Sequence, residues 1–382
     1  MSAARPMHIV DLTLFFAPHS GGVKRYLLAK RAYLSAQPYV RHSLLVPGAR
    51  TCATLPGLVE LASPRIPFGA GYRLPLRLRA WSKTLRALQP DLIEAADPYH
   101  LAWLALDVAD DLGVPATAFA HSDLARLLGD RFAPALGRAV SAYLRTLYRR
   151  FDCVFAPSRL IAERLGDLGI ERIALQPLGV DGRVFHPRHA DPALRDELRL
   201  APDTRLLVFA GRMAREKNIP LLLDAFARLG APYHLLLVGG ERFERLAPHA
   251  TMLPYQQDGA RLARLLASCD ALVHAGRHET FGMIAIEAMA CARPVVSLHG
   301  GALAELIGNG VGVIAAGDDA AALADAVREL YARDRAAMST LARQRVARDY
   351  LWERTLPRQL ARYAELARTP AAAAPAAVAE AA

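Results

Sequence analysis

The chain has 382 residues, 53% of them hydrophobic and 22% charged, with a formal net charge of +10. It is too long for one ordinary domain of about 100–200 residues, too apolar for disorder and too evenly charged for a fibrous protein, so two globular cores are expected. No apolar run approaches the roughly 20 residues of a membrane-spanning helix, and Met1 to Met7 lack the flank and cleavage site of a signal peptide, which points to a cytoplasmic chain.

Short apolar runs alternate with amphipathic segments throughout, the pattern of parallel sheets with crossover helices, hence an α/β fold. In the first half, strands are expected at His8–Phe16, His42–Pro47, Asp91–Ala95, Ala116–His121 and Cys153–Ala156. Helices are expected at Val23–Ala36, Leu101–Leu112, Pro134–Arg150 and Ser158–Leu168. Ser20-Gly21-Gly22-Val23-Lys24 follows the first strand and opens a helix, so backbone N–H groups can approach a ligand closely, although the segment also reads as a simple turn. Asp97 and His100 follow the third strand and are candidates for holding a polar ligand; Asp97-Pro98 equally suits a helix cap. His121 ends a strand, where a side chain faces a cleft, though a lone His is commonly structural.

Charge is uneven. Residues 1–190 hold 24 Lys or Arg against 15 Asp or Glu, whereas residues 191–382 hold 23 against 22. No acid occurs between Glu60 and Asp91, yet Arg65, Arg73, Arg77, Arg79, Lys83 and Arg86 interleave there with Phe68, Tyr72, Leu74, Leu76, Leu78 and Trp81. Such a mixture suits an anionic membrane surface, each nearby cation contributing about 1 kcal/mol. A plain solvated face is the alternative, and no nucleic-acid-binding signature accompanies the charge. The four Cys (Cys52, Cys153, Cys269, Cys291) form no CxxC and read as small buried hydrophobes.

The pattern breaks at Gly179-Val-Asp-Gly-Arg-Val-Phe-His-Pro187, which is taken as the boundary between domains 1–187 and 188–368. A second series follows, with strands at Leu206–Ala210, His234–Val238, Ala271–Ala275 and Pro294–Leu298. Its helices are Ile219–Arg228, Gly259–Ala267, Met283–Ala290 and Ala320–Arg333, with a last helix at Trp352–Arg368. The tail Thr369–Ala382 is Ala, Pro and Glu without periodicity and is expected to be disordered.

Gly211-Arg-Met-Ala-Arg-Glu-Lys217 follows a strand and precedes a helix, where open α/β sheets bind ligands. Arg212 offers a guanidinium fork and Lys217 a point charge to one pyrophosphate; a solvated turn is the alternative. Only four of the 47 basic residues are Lys, so Lys217 and Lys24 stand out. In His278-Glu-Thr-Phe-Gly-Met-Ile-Ala-Ile-Glu287, Glu279 lies between a strand and a helix start, where Phe281 and Gly282 offer free N–H groups. Glu287 sits inside a helix of Met, Ile and Ala and must hold a polar partner, either ribose hydroxyls or an Arg. No Asp-x-Asp triplet, an acid pair that could hold Mg²⁺, occurs, so neither metal nor cofactor is expected.

Together, Gly211-Arg212 with Lys217, Glu279 and Glu287 with Phe281-Gly282 between them, Gly300-Gly301 before Glu305, Gly21-Gly22, and Trp352 resemble retaining family-4 glycosyltransferases of the GT-B fold over roughly residues 7–366. The resemblance implies two Rossmann-like domains facing a central cleft, the N-terminal one for acceptor and the C-terminal one for donor, with the last helix packing back on the first domain. It implies Arg212 and Lys217 on the diphosphate, Glu287 on the ribose, and Glu279 and His121 by the donor sugar. Gly21 and Gly22 would lie by the donor phosphate, with Lys24, Asp97 and His100 on the acceptor side. The family commonly has Pro-Ser before the first Glu, where His274-Ala-Gly-Arg277 stands here. The expected activity is hexosyl transfer from UDP- or GDP-sugar to a hydroxyl acceptor, foremost a membrane lipid or lipid-linked glycan reached from the inner face of the cytoplasmic membrane. A soluble acceptor, or a non-catalytic sugar-nucleotide or membrane-surface binding protein, are the rivals. An NAD-dependent oxidoreductase is disfavoured by the absence of GxGxxG.

Overall fold

A computed structural model describes residues 5–18, 20–67, 71–308 and 310–368. Phe68 and the tail 369–382 lie outside the described residues.

The first sheet has eight strands: β1 (Met7–Leu12), β2 (Val40–Gly48), β3 (Cys52–Leu55), β4 (Leu58–Ala62), β5 (Leu92–Ala95), β6 (Ala116–Phe119), β7 (Cys153–Ala156) and β8 (Ile173–Leu175), in the order β3-β4-β2-β1-β5-β6-β7-β8. The second has β9 (Arg205–Ala210), β10 (Tyr233–Gly240), β11 (Glu244–Ala247), β12 (Ala250–Pro254), β13 (Ala271–His274), β14 (Val295–Ser297) and β15 (Gly312–Ile314), in the order β11-β12-β10-β9-β13-β14-β15. All neighbours are parallel except the edge hairpins β3–β4 and β11–β12. Central strands such as β7 and β13 are buried along their whole length, which explains why they read as continuous apolar runs rather than alternating ones.

In the first half the helices are α1 (Gly22–Ser35), α2 (Leu78–Ala87), α3 (His100–Leu112), α4 (Leu124–Arg131), α5 (Pro134–Tyr148) and α6 (Arg159–Asp167). In the second they are α7 (Leu194–Glu197), α8 (Ile219–Leu229), α9 (Gly259–Ser268), α10 (Met283–Ala290), α11 (Leu303–Ile307), α12 (Ala320–Ala332), α13 (Arg335–Asp349) and α14 (Trp352–Arg368). Two Rossmann-like domains result, and the fold is GT-B. None of the described helices is long and apolar enough to cross a membrane.

Each domain has an outer core, one around Leu45, Leu85 and Phe151 and one around Phe226, Leu237 and Leu330. A third cluster runs from Ile9 and Tyr26 through to Leu206, Ile286 and Tyr363, so the inner layers of the two domains share apolar contact. The chain crosses between domains twice, and the crossings pair: Val180 N–H donates to Tyr350 O at 2.8 Å and Trp352 N–H to Val180 O at 3.2 Å. From there α14 returns to the first domain, where Tyr363 donates to Glu94 at 2.6 Å and Gln359 to the Tyr26 hydroxyl at the same distance.

Glu94 belongs to a buried charged cluster in the first sheet. Lys30 Nζ bonds Asp11 at 2.8 Å and Glu94 at 2.7 Å, while His42 Nε2 lies 3.0 Å from Asp11. Burial opposes the charge on Lys30, but the two carboxylates outweigh it and raise its pKa. Two expectations are corrected here. Trp81 is 1% exposed and packs into the first domain's core, so it cannot meet a membrane. Cys52 is half-buried on edge strand β3 rather than in a core.

Candidate active site

The carboxyl ends of both sheets face one cleft holding a cavity of about 380 Å³. Its floor on the first domain is the turn after β1: Gly21 has open space around it, and a Cβ on Gly22 would come 3.0 Å from Met283 Sδ of the other domain. Opposite stand Gly211, Arg212 and Lys217 after β9, and residues 278–284 after β13.

The loop after β13 is held from two sides. Gly301, at φ +78, lies so close under Glu279 that a Cβ there would approach its backbone N and O at 3.0 Å, and Ala302 N–H donates to Glu279 O at 2.8 Å. The Gly300-Gly301 pair therefore supports the loop backbone from below. Gly282 caps α10 in the left-handed region (φ +94), and a Cβ there would strike Leu303 at 2.3 Å. The first turn of α10 then presents N–H groups without intrahelical acceptors to the cleft. The Phe281 side chain is core, edge-on to Tyr350, so only its backbone reaches the site.

Glu279 is an ion-pair partner of Lys217, and His274 Nε2 lies 3.2 Å from the same oxygen. Burial pushes the carboxyl's pKa up, but the Lys217 charge and the His274 contact prevail and hold it well below the usual carboxylate range. Glu279 is therefore a fixed anion. Arg212 is exposed and lies 3.2 Å from Glu216. Glu287, 1% exposed, pairs with Arg25 of α1, so without ligand its partner is an arginine from the facing domain.

His121 lines the cleft, stacked on Phe119 at 4.0 Å. Burial, then the Lys30 charge, lowers its pKa to about 3, so the ring is neutral. The remaining candidates lie apart from the cleft lining. Lys24 Nζ donates to Ala17 O at 3.1 Å and sits over the Phe16 ring, bracing the glycine turn. Asp97 is buried and accepts Leu14 N–H at 2.6 Å; burial raises its pKa to about 6. His100 lines a separate groove between α2 and α3 with Arg79, Lys83, Arg86 and Trp103.

Several contributors escape sequence reading. Thr280 donates to His121 O at 2.8 Å and Ser158 donates to Thr280 O at 2.7 Å, while Glu305, which the sequence motif did include, accepts the N–H groups of Arg159 and Leu160 at 2.9 and 2.7 Å. All four bonds cross between domains, and pairing at such separation leaves no local pattern. Arg25 did carry a signal: one helical turn beyond Gly21, it faces the side of α1 that opens on the cleft. Tyr255 and Gln256, after β12, also line the cavity.

Comparison with known proteins bears on this arrangement. Residues 20–183 match the family model described as Glycosyltransferase Family 4, and residues 204–333 the one described as Glycosyl transferases group 1. The chain is 33% identical, over 86% of its length and 88% of the relative's, to a GDP-mannose-dependent alpha-(1-6)-phosphatidylinositol dimannoside mannosyltransferase of Mycobacterium tuberculosis. It is 29% identical to a GDP-mannose-dependent alpha-mannosyltransferase of Corynebacterium glutamicum, over 81% and 77% of the two chains. In fold it resembles sucrose-phosphate synthase from Thermosynechococcus elongatus, with a TM-score of 0.77 and 21% identity over 94% and 99% of the chains.

Proposed function

Because this chain belongs to the family-4 glycosyltransferases, we propose that this enzyme moves mannose from GDP-mannose to the headgroup of a membrane lipid of the phosphatidylinositol class, with retention at the transferred carbon. The observation that carries the donor and acceptor is the 33% identity, across 88% of its length, with a mannosyltransferase named for both.

The cleft's chemistry supports the reading. Arg212, Lys217 and the N-terminus of α10 meet the charge of the departing diphosphate, so no metal is required. Glu287 exchanges Arg25 for the ribose hydroxyls. Glu279, anionic throughout, accepts from hydroxyls of the donor sugar, and the neutral ring of His121 lies against the same sugar. The acceptor oxygen, held from the first domain, attacks on the face the diphosphate leaves, and the diphosphate takes up its proton; positioning and electrostatics supply the acceleration.

For the membrane, exposed Ile66, Leu74, Leu76 and Leu78 stand beside exposed Arg65, Arg77, Arg79, Lys83 and Arg86. Leu76 alone is 66% exposed. Apolar side chains entering the headgroup layer beside cations that meet anionic lipid give peripheral attachment. The test is mannose transfer from labelled GDP-mannose into vesicles with and without phosphatidylinositol, in EDTA. Labelled lipid in the phosphatidylinositol vesicles is expected. Turnover of UDP-glucose instead, or transfer to soluble glycans with vesicles inert, overturns the donor or the acceptor respectively.

A further inference from the structure

His274 closes β13 and is 1% exposed, its ring tilted against Phe209 at 5.5 Å. Its Nδ1 accepts the Gly276 N–H at 3.0 Å, so that nitrogen presents a lone pair and Nε2 is the ring's donor. Nε2 is itself buried, makes no hydrogen bond in the structure, and lies 3.2 Å from Glu279 Oε1, the nearest acceptor in reach. Gly276 is part of the device: a Cβ there would sit 2.6 Å from His274 Cε1 and 3.0 Å from Glu216 O, so only glycine lets the loop close over the ring. Lys217 reaches the same Oε1. Both donors therefore converge on one carboxylate oxygen, and neither engages Oε2.

We propose that His274 is a positioning residue that, with Lys217, pins Oε1 of Glu279 so that Oε2 is presented to the hydroxyls of the donor sugar. This rests on the reading of the cleft as a nucleotide-sugar site. A long side chain with two free torsions would otherwise follow Lys217 wherever the diphosphate draws it. With His274 in place the carboxylate stays aimed while Lys217 changes partners.

The test uses the full-length chain, GDP and GDP-mannose, with UDP and UDP-glucose as the second pair. His274→Phe keeps a ring against Phe209 and removes the N–H; His274→Gln restores a donor at similar reach. Wild-type binding to one of the pairs is the check on the site reading, and binding to neither overturns that reading and the proposal with it. With a pair that binds, His274→Phe should leave the affinity for the nucleoside diphosphate within about twofold. It should lower kcat/KM for the nucleotide sugar by about 10- to 100-fold, the scale of a misplacement near 1 Å, with His274→Gln recovering a large part. Equal loss of affinity for the diphosphate alone, or a Gln variant no better than Phe although both are folded, overturns the positioning role.

Discussion

The Arg25–Glu287 pair makes the sharpest demand on the structure. Arg25→Met keeps the apolar stem against α1 and removes the charge, leaving Glu287 inside a helix of Met, Ile and Ala with its partner gone. Stripping one partner from a fully buried pair costs about 3–5 kcal/mol. The Arg25 side chain keeps 35% of its surface in solvent, against 1% for Glu287, so screening reduces the expected cost to about 2–3 kcal/mol. At about 2–4 °C per kcal/mol for a domain of this size, the melting point should fall by about 4–12 °C. Glu287→Gln in the Arg25→Met background should recover most of that loss, because a neutral amide is cheaper to bury. GDP should stabilise Arg25→Met more than the wild type, since the ribose then supplies the only partner for the carboxylate. The assay is thermal unfolding of the two single variants and the double, each with and without GDP. If the single effects add to within about 0.5 kcal/mol, the residues are not coupled and the reasoning fails.

Three further outcomes follow from the same geometry. Lys217→Ala removes the cation paired with Glu279 and proposed for the diphosphate, and should lower kcat/KM for the donor by at least about 10³-fold with an unchanged circular dichroism spectrum; full activity refutes the assignment. Asp97, with its pKa raised to about 6 from 3.8, binds its proton more tightly folded than unfolded, so stability from this group is complete below about 3.8 and is lost as pH rises through 6. Urea titrations should show that wild type gains on Asp97→Asn as pH falls from 7 to about 4, and parallel profiles would contradict the burial of that carboxyl. Lys30→Met leaves Asp11 and Glu94 facing each other without a cation and should cost about 3–5 kcal/mol; a variant melting within 2 °C of wild type would show the cluster is not what holds β1, β5 and α1 together.

What the sequence disclosed depended on how local the cause was. Parallel strands buried on both faces announce themselves as apolar runs, so the centres of both sheets were legible. The edge hairpins were not, because β3 is exposed along most of its length and Glu244–Ala247 of β11 carries two charged residues, and neither makes a run. That Arg212, Lys217, Glu279 and Glu287 line one cleft was legible because acids and a rare lysine stand near strand ends in apolar surroundings. Their partners were not: Arg25 meets a carboxylate 262 positions away, and a contact of that separation is decided by how two domains face each other. Trp81 was misplaced for a different reason. Trp81 and Leu85 are four apart, the spacing of one buried helical face, yet the surrounding arginines make the segment read as uniformly interfacial.

The contacts between domains differ in kind on the two sides of the cleft. On the hinge side, Tyr26, Gln359, Tyr363 and Glu94 form a buried hydrogen-bonded chain, and α14 adds apolar packing, so separating these surfaces would strand polar groups and expose apolar ones. At the mouth, the contacts made by Thr280, Ser158, Glu305 and Arg25 are polar side-chain bonds. Exchanging such bonds for water has a net cost of about 1 kcal/mol each, whereas breaking the hinge side forfeits burial as well.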